Sequence, residues 1–314
     1  MALNSTCRYR FTLLPTPFVS YAEAAKQCPG SKLTTLPNLG LVGNIEPGPG
    51  AGQTSPAGQG SWSQLRANVD SLNEQSGSAA SYKIMLIVRH GLGVHNVVMG
   101  EVGSSEWKNH WSKMDGDGSR TWFDAELVDE GKAQAADLGA RFATGVKQDG
   151  FPVPDTIYTS PLARCLETAK LVFKDVVEGR GREFRPVVKE LLRERLTDHT
   201  CDRRRPRTWI GENYPEYEID PSLDESDTLW REGVTESNED HVAREQTLLQ
   251  DVFQADSGTI VALVTHSYTV SAILEAVGAD HFRVAESAMV ALLVRAERVW
   301  EETLGREERP VVEM

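Results

Sequence analysis

No stretch of this sequence approaches the ~18 consecutive apolar residues that a membrane-spanning helix requires. Cysteine is scarce. Cys7, Cys28, Cys165 and Cys201 stand far apart, with none of the paired spacings that hold zinc or run redox chemistry. A disulfide scaffold and a cysteine-built metal finger are therefore excluded. The opening Met1-Ala2-Leu3-Asn4 has no basic stretch leading into an apolar one, so no export signal is read and a cytoplasmic location with reduced thiols is expected. Positive charge is also short: 33 Lys and Arg against 46 Asp and Glu leave a formal net charge of −13. Such a surface repels polyanions, which argues against nucleic acid or an anionic bilayer as a partner. The charge is uneven, however. Six arginines fall between Arg193 and Arg207, while Glu212 to Glu245 holds twelve acids against Arg231 and Arg244. A locally basic pocket can therefore sit in an acidic protein, and a small anionic substrate is expected. The sequence assigns no oligomeric state.

What the chain does have is an α/β rhythm. Residues 1–60 read as irregular, and the Gly, Pro, Ser and Gln of Gly40 to Gly60 suggest a surface loop or a wrapping arm. Trp62, Leu65, Val69 and Leu72 recur at helical spacing, which predicts an amphipathic helix over Ser61 to Asn73. The domain reading is an N-terminal arm and helix over 1–80, packed on a catalytic domain over 81–314 that carries an excursion at about 195–240. Within that domain the expected elements run in order. A strand covers Lys83 to Val88, and a helix capped by Asp129 carries Ala135, Leu138, Phe142 and Val146 on one face. Thr156 to Thr159 is a short strand, and a helix starts at Ser160-Pro161 with Ser as its cap. Pro186 to Val188 is a strand, Pro206 to Gly233 a polar excursion over the site, and Asn238 to Phe253 a helix. A strand over Thr259 to Val264, a helix over Tyr268 to Val277 and a last strand over Ala288 to Ala296 complete the set. The tail after Trp300 is expected to be loose.

Four segments carry chemistry. Arg89-His90-Gly91 and Thr265-His266-Ser267 each follow an apolar strand, and in a parallel sheet the carboxyl ends of neighbouring strands open onto one crevice. An imidazole can attack phosphorus and hold the phosphoryl group covalently. A phosphate needs fixed cations, and Arg89 supplies planar, bidentate donors. Asn96, six residues past His90, adds an amide donor. Arg164 lies in the first turn of its helix, where free N–H groups already favour an anion. Glu194, in Leu191-Leu192-Arg193-Glu194-Arg195, is placed to protonate a leaving alkoxide. His266 can donate to a phosphoryl oxygen. Each segment alone is an ordinary surface turn, exposed helix residue or core histidine; it is the set that points to a site. Ser267 lacks the flanking glycines of an esterase elbow, since Thr265 and Thr269 occupy those positions. No cysteine or carboxylate in sequence completes a metal site around His90 and His95.

These segments, in this order over roughly residues 83–296, resemble the histidine phosphatase superfamily, also called phosphoglycerate mutase-like. Arg89 to Asn96, Trp107, Trp111, Trp122 to Asp124, Leu127 to Ala135 and Cys201 to Arg205 are similar to a fungal phosphomutase-like branch of it. The resemblance implies a three-layer α/β/α sandwich with a mixed, mostly parallel sheet, and no metal or organic cofactor. It implies His90 as the phosphorylated nucleophile, Glu194 as proton donor, and Arg89, Arg164 and His266 as the phosphate pocket, with Asn96 as a further donor. His95, Arg195, Arg203 and Arg204 stand as possible specificity residues. Glycolytic mutases carry Gly-Glu after the Arg-His pair, and this chain has Gly91-Leu92. Phosphomonoester hydrolysis by a cytoplasmic histidine phosphatase is therefore the leading expectation. A phosphomutase, or a repurposed lyase or hydrolase using the same pocket, is the alternative.

Overall fold

The computed structural model describes residues 4–42 and 61–303. Its strands are β1 (Asn4–Leu14), β2 (Lys32–Leu33), β3 (Ala80–Arg89), β4 (Thr156–Thr159), β5 (Val187–Val188), β6 (Glu218–Ile219), β7 (Ile260–Thr265), β8 (Arg283–Val284) and β9 (Met289–Thr303). Its α-helices are α1 (Tyr21–Lys26), α2 (Trp62–Ser76), α3 (Val94–Val102), α4 (Ser104–Asn109), α5 (Asp129–Gln148), α6 (Ala163–Glu178), α7 (Arg207–Asn213), α8 (Asn238–Ala255) and α9 (Ser267–Ala276). Seven strands form one sheet in the order β1-β9-β3-β7-β4-β5-β6. β9 runs against both of its neighbours, and every other adjacent pair is parallel. β2 and β8 form a separate short parallel pair.

The apolar runs of β3 and β7 follow from their place in the centre. Ile84 to Val88 and Ile260 to Val264 are all fully buried. A strand covered on both faces has no polar side to alternate with, so its sequence is continuously hydrophobic. α5 packs with α6, and α8 with α9, to supply the two covers. The result is the three-layer α/β/α sandwich with a mixed, mostly parallel sheet. No helix among the described residues is long and apolar enough to cross a membrane. α2 carries Trp62, Leu65 and Val69 into the same core as β3.

Several expectations need correction. Residues 1–60 are not irregular throughout, because β1 is an eleven-residue edge strand paired along its length with β9. The signal was there in the alternation of Tyr9, Phe11 and Leu13 with Arg8, Arg10 and Thr12. The part of the predicted Gly40 to Gly60 loop from 43 to 60 lies outside the described residues, as does the tail from 304. The last strand is longer than expected, reaching Thr303. The 206–233 excursion is partly regular: α7 leads into β6, which closes the far edge of the sheet against β5. The N-cap position of α5 is Val128, with Asp129 as the first helical residue. α6 begins at Ala163, two residues after Pro161, and Arg164 keeps its place in the first turn.

α5 meets the turn after β3 at very close range. A Cβ placed on Gly131 would lie 2.1 Å from the Leu92 carbonyl oxygen, and one on Gly91 would lie 2.4 Å from the Gly131 oxygen. Both contacts are with backbone, which cannot step aside as a flexible side chain can. Gly131→Ala is expected to cost about 3 kcal/mol of stability by overpacking, read as a lowered urea midpoint. Gly100, in α3, has nothing within 4 Å of such a Cβ. Gly100→Ala should instead stabilise by up to about 1 kcal/mol through helix propensity alone.

Candidate active site

Sheet register builds the site. Arg89 pairs with Thr265, so His90 and His266 leave neighbouring parallel strands side by side. The His90 amide donates to the Thr265 carbonyl at 3.0 Å, and the Ser160 amide donates to the Val264 carbonyl at 3.0 Å. The ends of β3, β7 and β4 thus converge. The rings of His90 and His266 lie 5.1 Å apart, edge to face.

His90 is 2% exposed. Its Nδ1 stands 2.7 Å from the Gly91 carbonyl oxygen. A carbonyl can only accept, so Nδ1 carries the proton and Nε2 keeps its lone pair. No described residue hydrogen-bonds that Nε2. Burial, and then the positive charges of Arg164 and Arg89, hold the imidazole well below its ordinary range. It is therefore neutral at pH 7, as a nucleophile must be.

Arg164 is 1% exposed and is held on three sides. Its Nε donates to His266 Nδ1 at 3.2 Å, its Nη1 to the Cys201 carbonyl at 2.7 Å, and its Nη2 to Asp202 Oδ1 at 3.2 Å. Two of its five N–H groups remain for a ligand. The bond from Arg164 makes Nδ1 of His266 the acceptor, so Nε2 carries the proton and faces Ser160 Oγ at 2.8 Å. Arg89 is anchored at its far edge, with Nη1 on the Val284 carbonyl at 2.8 Å and Nη2 on Glu286 at 2.9 Å. Its Nε is buried and has no protein partner. Asn96 turns its Oδ1 to the Gly93 amide at 3.1 Å, which leaves the amide nitrogen as a donor. The His95 ring lies 5.7 Å from that of His90, and its buried Nδ1 has no partner. Buried polar atoms are nearly always paired, so orphans on Arg89 and His95 beside one free imidazole nitrogen mark a place for a polar ligand.

Glu194 sits at the N-terminus of α9. Its Oε1 accepts from the amides of Arg195 at 3.0 Å, Tyr268 at 3.1 Å and Thr269 at 3.2 Å. Burial, and then the nearby Asp202 carboxylate, raise its pKa above the ordinary carboxyl range against the pull of those amides and of Arg164. A carboxyl group whose pKa is raised in this way is better suited to act as an acid.

The four specificity candidates divide. Arg195 stacks on the half-exposed ring of Tyr268 at 4.7 Å and donates to Asn238 at 2.8 Å. Its Nε is buried and unpartnered. Arg203 lies between the rings of Phe123 at 4.4 Å and Trp230 at 5.1 Å, paired with Asp115. Arg204 is a correction. Its side chain is fully buried, and its donors go to Glu190 and to the carbonyls of Asp224, Glu225, Ser226 and Arg205. It ties the excursion down and has no N–H left for a substrate. Arg193 and Arg205 are tied similarly, to Asp227 and Glu190 and to Asp124 and Glu126.

Sequence reasoning missed the residues that hold the machinery. Ser160, Thr168, Asp202 and Asp124 are all buried. Thr168 Oγ1 accepts from the Gly91 amide at 3.1 Å. The cap expected from Ser160 comes instead from Asp124, whose Oδ1 accepts from the Ala163 amide at 2.9 Å across 39 residues. No local pattern reports such a contact. His199, Cys201 and Asp202 bring their ligand atoms within 4.8 Å of one another. That group does not suit a cation, because Asp202 already receives the Arg164 guanidinium on one oxygen and the Thr197 hydroxyl on the other at 2.8 Å.

Residues 85–283 match the family model of the histidine phosphatase superfamily, branch 1. The chain belongs to that superfamily. A protein of Arthroderma benhamiae named a probable phosphoglycerate mutase is 40% identical over 236 residues, or 75% of this chain and 70% of that one. Phosphomutase-like protein 3 of Candida albicans is 27% identical over 76% of this chain and 71% of its own length. Among solved structures, a mycobacterial glucosyl-3-phosphoglycerate phosphatase overlays with a TM-score of 0.40 at 18% identity, covering 70% of this chain and 98% of that one. The fungal phosphomutase-like likeness read from the motifs is thus found again in relatives that match 75% and 76% of this chain.

Proposed function

We propose that this chain hydrolyses the phosphate monoester of a small anionic metabolite through a phosphohistidine at His90. The observation that carries the reading is the Nδ1–H to Gly91 bond, which leaves His90 Nε2 unprotonated beside Arg164, Arg89 and His266. Nε2 attacks phosphorus and the ester P–O bond breaks. Glu194 gives its proton to the departing alkoxide. Water then attacks phosphorus, a P–O bond forms as the P–N bond breaks, the Glu194 carboxylate takes a proton from that water, and inorganic phosphate leaves with His90 restored. Arg89 Nε, the free N–H groups of Arg164 and the Asn96 amide stabilise the phosphoryl oxygens. His266, oriented by Arg164 and Ser160, lines the same pocket. His95, Arg195 and Arg203 face the remainder of the substrate. The reaction draws on no metal or organic cofactor.

The second reading is phosphoryl transfer within one substrate, favoured by the mutase names of the fungal relatives. Both share the first step. A phosphosugar labelled in its phosphate separates them: hydrolysis puts the label in inorganic phosphate, and a label that only changes position on the sugar overturns the phosphatase assignment.

The pH dependence follows from the two shifted groups. His90 must be unprotonated and its pKa lies below the ordinary 6.5, so kcat/KM falls as pH drops through that lowered value. Glu194 must be protonated and its pKa lies above the ordinary 4.5, so kcat/KM falls as pH rises through that raised value. A bell-shaped profile is expected, and Glu194→Gln should remove its alkaline limb. An alkaline limb unchanged in Glu194→Gln would take the acid role away from this residue.

A further inference from the structure

Glu194 is held by its carboxylate from one side, and the chain that carries it is held from the other by a helix outside the site. Arg244, on α8, donates from Nη1 to the carbonyls of Leu191 at 2.6 Å and Arg193 at 3.0 Å, and from Nη2 to the carbonyl of Glu194 at 3.2 Å. The same guanidinium forks onto Glu236 at 2.8 and 2.9 Å and touches Glu245 at 3.0 Å. Glu236 in turn accepts from the Leu196 amide at 3.0 Å and donates its own amide to the Leu196 carbonyl at 2.7 Å. Residues 191–196 are thus bound to one buried ionic unit at both ends. Burial opposes ionisation of Glu236, but its bonds with Arg244 outweigh that and hold the carboxyl below its ordinary range. Beneath lie His241, whose Nε2 is 3.5 Å from Glu245, and the fully buried Glu245.

A buried cluster of this kind is a poor choice for stability alone, because well-packed apolar residues of similar volume often do as well or better. What it supplies is position. One rigid plane of N–H groups reaches the carbonyls of Leu191, Arg193 and Glu194 together with Glu236, which a lysine ammonium cannot do. We propose that Arg244, seated by Glu236, is a positioning residue for Glu194: it sets the reach of the acid to the leaving oxygen, without touching the substrate. This rests on the phosphatase reading above. An acid displaced by about 1 Å can cost about 100-fold in rate.

The test uses leaving groups. Departure of 4-nitrophenolate needs little protonation, whereas phenolate, with a pKa near that of tyrosine at about 10, needs the acid. In Arg244→Lys, kcat/KM for phenyl phosphate is expected to fall about 30-fold or more while that for 4-nitrophenyl phosphate falls less than about 3-fold. Glu194→Gln should show the same selectivity, and adding Arg244→Lys to it should bring no further loss on phenyl phosphate. Should Arg244→Lys not yield folded protein, the same ratio is read on Glu236→Gln, which keeps the arginine and loosens its seat. Equal losses on both esters, or no loss on either, overturn the proposal. If the unaltered protein turns over neither ester, it is the phosphatase reading that fails, and this inference with it.

Discussion

His90→Ala is expected to lower kcat/KM for 4-nitrophenyl phosphate by about 10⁴-fold or more, the scale seen when a covalent nucleophile is removed. Neither of the other two histidines at the site is placed as His90 is. His266 has both ring nitrogens engaged, by Arg164 and by Ser160. His95 has a free Nδ1, but it lies on α3 with its ring 5.7 Å from that of His90, so it does not occupy the same position. The substitution removes a ring from a cavity whose walls are otherwise fixed, so the protein should stay folded, as circular dichroism would check. Residual turnover within about 10-fold of the unaltered protein would mean that the nucleophile is elsewhere.

Arg164→Met should have the largest effect on stability. The guanidinium is buried against Asp202, the Cys201 carbonyl and His266. Removing it leaves Asp202 buried with only the Thr197 hydroxyl on one oxygen and the weakly donating Cys201 thiol, at 3.7 Å, on the other. Breaking a buried pair from one side costs about 3–5 kcal/mol. Urea denaturation would read that loss. In an Asp202→Asn background the same substitution should cost less, with a coupling of about 1–3 kcal/mol between the two sites. Additive effects would show that the pair is not the interaction that holds Arg164. Activity should fall as well, since Arg164 supplies two N–H groups to the proposed phosphoryl pocket and orients His266.

The parts of the fold that could be read in the sequence are those set by local pattern. β3 and β7 announce themselves as apolar runs, and α2, α5, α6 and α8 by helical periodicity. β1 was overlooked although its alternation is clear, because two arginines and a threonine on its outer side gave it a polar look. The excursion hid β6, since a two-residue edge strand leaves no periodic trace. At the site, His90, Arg89, Arg164, Glu194 and His266 were legible because each stands next to a strand end or helix start, where position along the chain implies position in the crevice. Arg204 was misjudged for the opposite reason. Six arginines in fifteen residues look like a binding surface, and only the folded loop shows that Glu190 and four carbonyls have taken this one. Asp124 and Asp202 act across long sequence separations, as cap and as counter-charge, so no window of sequence contains both members of either contact.

In the proposed reaction His90 Nε2 is the atom that receives the phosphoryl group. The direct measurement is to mix the protein with a reactive phosphodonor, quench in alkali, where phosphohistidine survives, and map the modified peptide by mass spectrometry. Phosphate is expected on the peptide holding His90, lost on acid treatment and missing from His90→Ala. Steady turnover with no phosphorylated His90 at any quench time, or with the phosphoryl group on a different side chain, would contradict it.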